Sequence, residues 1–351
     1  MTAIDILQAA SHPDPYPFYR ELLAGPDPVR DPVHGLWIVT RGDTILQALR
    51  HPDLRVRPLD EPVPRAILGT PVGELFGNLV RQNDGPERHV APKASLQRAL
   101  ATVPLDDVSQ RAARVMAASL DVADWTLEVP VKAVADLLGF PVDGHDAVAG
   151  WVRDVVAAFA PGGNLDAGTT AARALMDRFD DLVARGTAGL VARVAAEPWP
   201  DRRVLRANLA GLLVQTYEAT AALLGNTVVA LARGEDGSDL PALVDRVMRL
   251  DAPVQNTRRF AAAPLRLGGA ELPRGAAVLL VLGAAGHDPA FDAVRNPVGF
   301  GWGPHACPGA ALARTIVVAA LTERPRHRAG WPTAWHYKAL VNARLPLFAA
   351  Q

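Results

Sequence analysis

Arg202 to Arg233 is the longest apolar helix candidate in the chain. At 1.5 Å per residue it would run roughly 45 Å, enough to cross a molecule of this size. A buried rod of that length needs other helices around it, and the neighbouring sequence supplies them. From about 88 to 251 the pattern is almost wholly helical. Asp106–Leu120, Val129–Leu138, His145–Phe159, Ala171–Ala196 and Leu240–Leu250 place apolar residues at three-to-four spacing. Tyr16 to Leu23 and Asp43 to Arg50 read as shorter helices. Strands are few and short: Leu36–Thr40, then Pro264–Leu267 and Ala277–Val281 around a turn at Gly268–Gly269, then Tyr337–Leu347. Residues 57–85 carry many Pro and Gly and little period, so they read as a long irregular loop of the kind that often serves function. No repeat, low-complexity tract or linker divides the chain, and one domain spanning 1–351 is expected.

Composition removes several classes of function. A net charge of −1 gives no general argument for nucleic acid or an anionic membrane. One cysteine rules out an intrachain disulfide framework and suits a reducing cytosol. The start, Met1 to Asp5, lacks a basic region followed by an apolar run, and no stretch approaches the roughly 20 apolar residues of a membrane span. A soluble, cytoplasmic protein is expected.

That cysteine, Cys307, lies in Phe300-Gly301-Trp302-Gly303-Pro304-His305-Ala306-Cys307-Pro308-Gly309, with a helical pattern from Ala310 to Leu321 behind it. A lone cysteine is usually a small buried hydrophobe. Here glycines flank it, able to take positive φ or bring backbone close, and a helix start follows. Such surroundings suit a thiolate held against a metal. Gly301-x-Gly303-x-x-Ala306 also matches a loose dinucleotide pattern. That pattern should follow a strand, and Asn296-Pro297-Val298-Gly299 is no strand.

The segment resembles the haem-binding loop of the cytochrome P450 family, Phe-x-x-Gly-x-x-x-Cys-x-Gly, with Phe300, Gly303, Cys307 and Gly309 at the fixed positions. The resemblance implies a mainly α, triangular P450 fold with a few short strands. It implies haem b (iron protoporphyrin IX), with Cys307 as axial metal ligand and His305 at a propionate. Gly301 falls within the same cofactor loop. Pro253 to Arg259 resembles the segment that brings an arginine to a propionate, and the register favours Arg259. Asp84 to His89 resembles the start of the family's His-x-x-x-Arg helix. Counting back from Leu100 selects His89 and Lys93, whereas counting forward from Asp84 selects Arg88; His89 and Lys93 are preferred, being one turn apart.

Two motifs depart from the family pattern. Gln215-Thr216-Tyr217-Glu218-Ala219-Thr220 falls where the family has Ala-Gly-x-Asp/Glu-Thr-Thr. Glu218 keeps the acid, Thr216 replaces the glycine, Ala219 replaces the alcohol, and Thr220 is rotated about 100° away on a regular helix. Proton delivery then falls to water, to Thr216 or to the substrate. In the helix around Leu243–Arg249, Arg249 is kept but Arg246 stands where the family has Glu. Two arginines at i and i+3 repel without a carboxylate, for which Asp245 and Asp251 are local candidates.

The resemblance implies a haem-thiolate monooxygenase that hydroxylates or couples a small natural-product intermediate, either free or on a carrier protein. Electrons would come from ferredoxin and a ferredoxin reductase, since no flavin or iron–sulfur module is encoded. One alternative is a peroxygenase; the lack of Arg at 215–220 argues against it. Another is a partner- or carrier-binding module without turnover, against which the intact cysteine loop argues.

Overall fold

The computed structural model describes residues 4–119, 124–326 and 330–349. Along the chain run α1 (Tyr16–Ala24), β1 (Val29–Asp31), β2 (Leu36–Val39), α2 (Gly42–Arg50), β3 (Leu54–Arg55), α3 (Pro71–Asn78), α4 (Ala91–Ala101), α5 (Leu105–Ala118), α6 (Trp125–Leu138), α7 (His145–Phe159), α8 (Leu165–Ala184), α9 (Leu190–Ala195) and α10 (Arg202–Ala232). Then follow α11 (Leu240–Leu250), β4 (Thr257–Ala261), β5 (Leu265–Leu267), β6 (Ala270–Leu272), β7 (Ala277–Leu280), α12 (Leu282–Ala285), α13 (Ala310–Glu323), β8 (Trp335–Tyr337) and β9 (Pro346–Phe348). The mainly α architecture expected from the sequence is the one observed. The end of the expected helix at Leu120 lies outside the described residues.

Contacts gather the chain into two compact units. One comprises the residues up to Leu59, Ala222–Cys307 and Gly330 onward; the other comprises Asp60–Ala221 and Pro308–Ala329. The first unit is built on a five-stranded sheet ordered β1-β2-β7-β4-β3, in which β2 and β7 run parallel and the other pairs antiparallel. Strand β7 is apolar on both faces, as a central strand must be when both faces are covered. Val278 and Leu280 join a core with Ile45, Leu49, Phe291 and Val298, while Leu279 and Val281 join another with Tyr19 and Ile38.

A buried ion pair ties this unit's distant segments together. Arg344, 1% exposed, donates Nε to Asp251 Oδ1 at 2.6 Å and its other nitrogens to the carbonyls of His12 (2.5 Å) and Pro13 (2.8 Å). The guanidinium lies 3.6 Å from the Tyr337 ring centroid, and the Tyr16 hydroxyl shares Asp251 Oδ1. Burial works against the Arg344 charge, but Asp251 and the two tyrosines outweigh it and its pKa rises. Asp251, a candidate partner for Arg246 on sequence grounds, is thus engaged with Arg344. Arg246 instead meets Glu235 at 2.5 Å on the surface.

The second unit is helical. Phe140 of the α6–α7 connection meets Phe179 of α8 edge-to-face at 5.3 Å, and Arg324 stacks over Trp125 at 5.1 Å. Lys132 of α6 sits between Glu128 (2.5 Å) and Asp146 (2.6 Å). Asn208 of α10, 1% exposed, uses both ends of its amide to hold the segment after α3.

Three expectations are corrected. Residues 57–85 are not an irregular loop: they hold α3 and two 3₁₀ turns. Thr70 caps α3 by accepting from Gly73 N–H at 3.1 Å, with Pro71 in the first turn. The glycines that obscured α3 serve packing, because a Cβ at Gly73 would fall 2.0 Å from the Ile67 carbonyl oxygen. The span Ala171–Ala196 is two helices, parted at Gly186 and Gly189, whose φ values are +62° and +108°. The Gly268–Gly269 turn joins β5 to the unforeseen β6, and β7 pairs instead with β2 and β4.

Candidate functional site

In the first unit, Phe300, Gly301, His305 and Cys307 lie on one closed loop. Cys307 N–H donates to the Phe300 carbonyl at 2.8 Å, and Gly301 N–H to that of Val298 at 2.8 Å. Gly301 and Gly303 hold φ of +72° and +63°, a region costly for residues with a Cβ. At Gly301 an added Cβ would also sit 3.0 Å from the His305 carbonyl oxygen. The loop rests on α2: Arg50 stacks on Trp302 at 5.5 Å, and Gly303 abuts Arg50 and Leu49. Trp302 itself packs against the core that includes Phe291 and Val298. Eight residues before the cysteine, Gly299 presses on α11, where a Cβ would be 2.9 Å from the Met248 carbonyl oxygen. So supported, Cys307 is exposed. That is unusual for a residue type that normally packs inside.

On β4 the strand alternation settles the arginine register. Arg258 faces solvent, whereas Arg259 is 5% exposed and donates to the Arg258 carbonyl (2.8 Å) and Thr257 Oγ1 (3.2 Å).

In the second unit, the ambiguity between Arg88 and His89 has a structural origin. Pro86–Val90 is a π-helical turn: Val90 N–H reaches back five residues to the Gly85 carbonyl at 3.0 Å, and Ala91 N–H to that of Pro86. Such a turn takes in one residue more than an α-helix. A count from either end is therefore out of step with the other. Arg88 points outward and donates to Asn78 Oδ1 at 2.9 Å. His89 and Lys93 are 3% and 7% exposed.

The expected oxygen-side residues share α10, which is helical without interruption from 215 to 220. Thr216 Oγ1 donates to its own helix at the Leu212 carbonyl, 2.7 Å away, so its proton is committed locally. Glu218 and Ala219 are half-buried, and Thr220 is 6% exposed. Tyr217 between them is buried, and burial, helped by Glu218, pushes its phenol up to about 12. Gly309 precedes α13 as its N-cap residue.

Among the described residues, no group of three or more His, Cys, Asp or Glu side chains could hold a metal ion. The side chains present fit a thiolate-ligated haem in another way. In the first unit an accessible thiol stands on a hydrogen-bonded loop and Arg259 is buried; in the second unit His89 and Lys93 are buried basic side chains. Sequence reasoning did not find Arg50, Asn208 or Arg344, because each works through a partner far away in sequence and carries no local signature.

No family model matches the chain. Curated relatives match over most of it, among them two hydroxylases. The β-dihydromenaquinone-9 ω-hydroxylase of Mycobacterium tuberculosis is 29% identical, over 92% of this chain and 72% of its own length. The 6-deoxyerythronolide B hydroxylase of Saccharopolyspora erythraea is 28% identical, over 90% and 89%. Among solved structures, CalO2 matches with a TM-score of 0.81 at 24% identity over 100% of both chains. P450BioI, solved in complex with a fatty-acyl-ligated acyl carrier protein, matches with 0.81 at 19% identity over 96% and 98%. With hydroxylases aligned along nine-tenths of its length and P450 structures matching over 96–100% of it, the chain has the cytochrome P450 fold and is similar along its length to these hydroxylases.

Proposed function

We propose that the whole chain, 1–351, is one haem domain that binds haem b and hydroxylates or oxidatively couples a small natural-product or lipid substrate in the cytoplasm. The observation that carries this is the exposed Cys307 thiol on a loop held by two positive-φ glycines. Cys307 would be the axial ligand. Arg259, His305, His89 and Lys93 would hold the propionates, and Phe300, Gly301 and Gly309 would shape the ligand loop. The bound haem supplies O₂ activation, with thiolate ligation favouring O–O cleavage. Ferredoxin and its reductase would deliver electrons. The substrate chemistry is supported by the relatives' names, which specify β-dihydromenaquinone-9 and 6-deoxyerythronolide B, and a carrier-borne substrate by the acyl carrier protein in the P450BioI structure.

The residues of α10 set the proton supply. Ala219 has no hydroxyl, and Thr216 spends its proton on Leu212. Glu218 and Thr220 remain as the chain's own proton-handling groups there, assisted by water or by a substrate hydroxyl. The same two facts favour a second reading, a peroxide-driven enzyme. Turnover under ¹⁸O₂ with ferredoxin, its reductase and NAD(P)H, compared with turnover in H₂¹⁸O₂ alone, separates these cases. Label from O₂ supports the monooxygenase. Label only from peroxide replaces it with the second reading. No product across a panel of free and carrier-bound substrates, with haem bound, points to a binding module.

A further inference from the structure

Within the second unit a chain of hydrogen bonds runs from α10 to His89. Asn208 Oδ1 accepts from Val80 N–H at 2.9 Å, while its Nδ2 donates to the carbonyls of Asn78 (2.9 Å) and Val204 (2.8 Å). Both N–H groups of this amide donate and its oxygen accepts, which leaves it one orientation. The carbonyl of the same Val80 accepts from His89 Nδ1 at 3.0 Å. A carbonyl can only accept, so Nδ1 is a donor and Nε2 is the ring's other polar atom. Leu79, between Asn78 and Val80, seats beside Gly211 of α10, where a Cβ would come within 2.7 Å of it. The π turn sets the radial direction of His89.

We infer that Asn208 is a positioning residue: by holding Val80 it fixes the direction of the His89 imidazole. This rests on the reading above that His89 meets a haem propionate, a contact that then falls to Nε2. A carboxylate only accepts, so that contact calls for an N–H at Nε2 as well as at Nδ1.

Two readouts test it on the holoprotein. Long-range ¹H–¹⁵N spectra of the ¹⁵N-histidine-labelled ferrous-CO form report the ring directly, with the His89 signal assigned by its loss in His89→Ala. Haem transfer to excess apomyoglobin reports the grip on the cofactor. Asn208→Ala should move the His89 nitrogen shifts and speed haem transfer by roughly tenfold, the scale of a charged hydrogen bond. In a His89→Ala background it should add less than about twofold. Asn83→Ala loosens the same turn by freeing the carbonyls of Gly77 and Leu79. It should lower the melting temperature and leave the His89 shifts in place. Should Asn208→Ala not fold, Asn208→Ser carries the same comparison, and Asn208→Asp, which keeps the acceptor for Val80, should restore the His89 shifts. Unmoved His89 shifts in Asn208→Ala, or a transfer effect that adds in full without His89, would overturn the inference. Unchanged haem transfer in His89→Ala would instead remove His89 from the cofactor, with the nitrogen shifts still deciding whether Asn208 sets the ring.

Discussion

Arg344→Met should be among the most damaging single substitutions outside the cofactor loop. The guanidinium is 1% exposed and Asp251 18%. Methionine fills much of the volume but leaves Asp251 with a largely buried charge and, among the described residues, only the Tyr16 hydroxyl as side-chain partner. The carbonyls of His12 and Pro13 lose their donors as well. Removing one partner of a buried pair costs about 3–5 kcal/mol, against about 0.2–1 kcal/mol for an exposed pair. The loss is thus a large share of the roughly 5–15 kcal/mol that a typical domain holds. Urea unfolding of the holoprotein is the assay: the midpoint should fall with the slope unchanged. Asp251→Leu combined with Arg344→Met should recover most of the loss, since an apolar replacement of both charges is often neutral. A loss below about 1 kcal/mol for Arg344→Met would refute the claim that this pair anchors α11 to both ends of the chain.

Further outcomes follow from other sites. Gly286→Ala puts a Cβ 1.9 Å from the Arg249 carbonyl oxygen, a backbone atom, so it should cost about 1–3 kcal/mol in the same urea assay. The Tyr217 phenol should ionise at about 12 when followed by ultraviolet difference absorbance. Because its folded pKa is raised, its contribution is complete below the unfolded value of about 10 and fades as pH climbs beyond it. The hydrogen bond from Lys132 lowers the Asp146 pKa, so this stabilisation exists above the ordinary value of about 3.9 and is lost on acidification. Asp146→Asn should therefore flatten the acid limb of stability against pH. Ala219→Thr should raise product formed per NAD(P)H consumed; unchanged or poorer coupling would favour a proton route built around substrate or peroxide.

The sequence disclosed the long helix, most helices of the second unit and the cysteine loop, because each signal is local: a 3.6-residue period, or glycines at fixed offsets from one thiol. It misread α3 because Gly73 and Gly77 look like loop residues until Ile67 and Val63 are seen against them. It left His89 and Arg88 in conflict because a π turn breaks the count. The change from Glu to Arg246 raised doubt about a stabilising network. The pair found in this unit, Asp251 with Arg344, spans 93 residues and left no pattern to read.

The most direct measurement is the absorption spectrum of the purified protein, reduced and exposed to carbon monoxide, beside Cys307→Ser. A strongly red-shifted Soret band that disappears in the variant is the result this account predicts. A band typical of histidine or neutral thiol ligation, an identical spectrum in Cys307→Ser, or a protein that stays colourless after haem supplementation would contradict it.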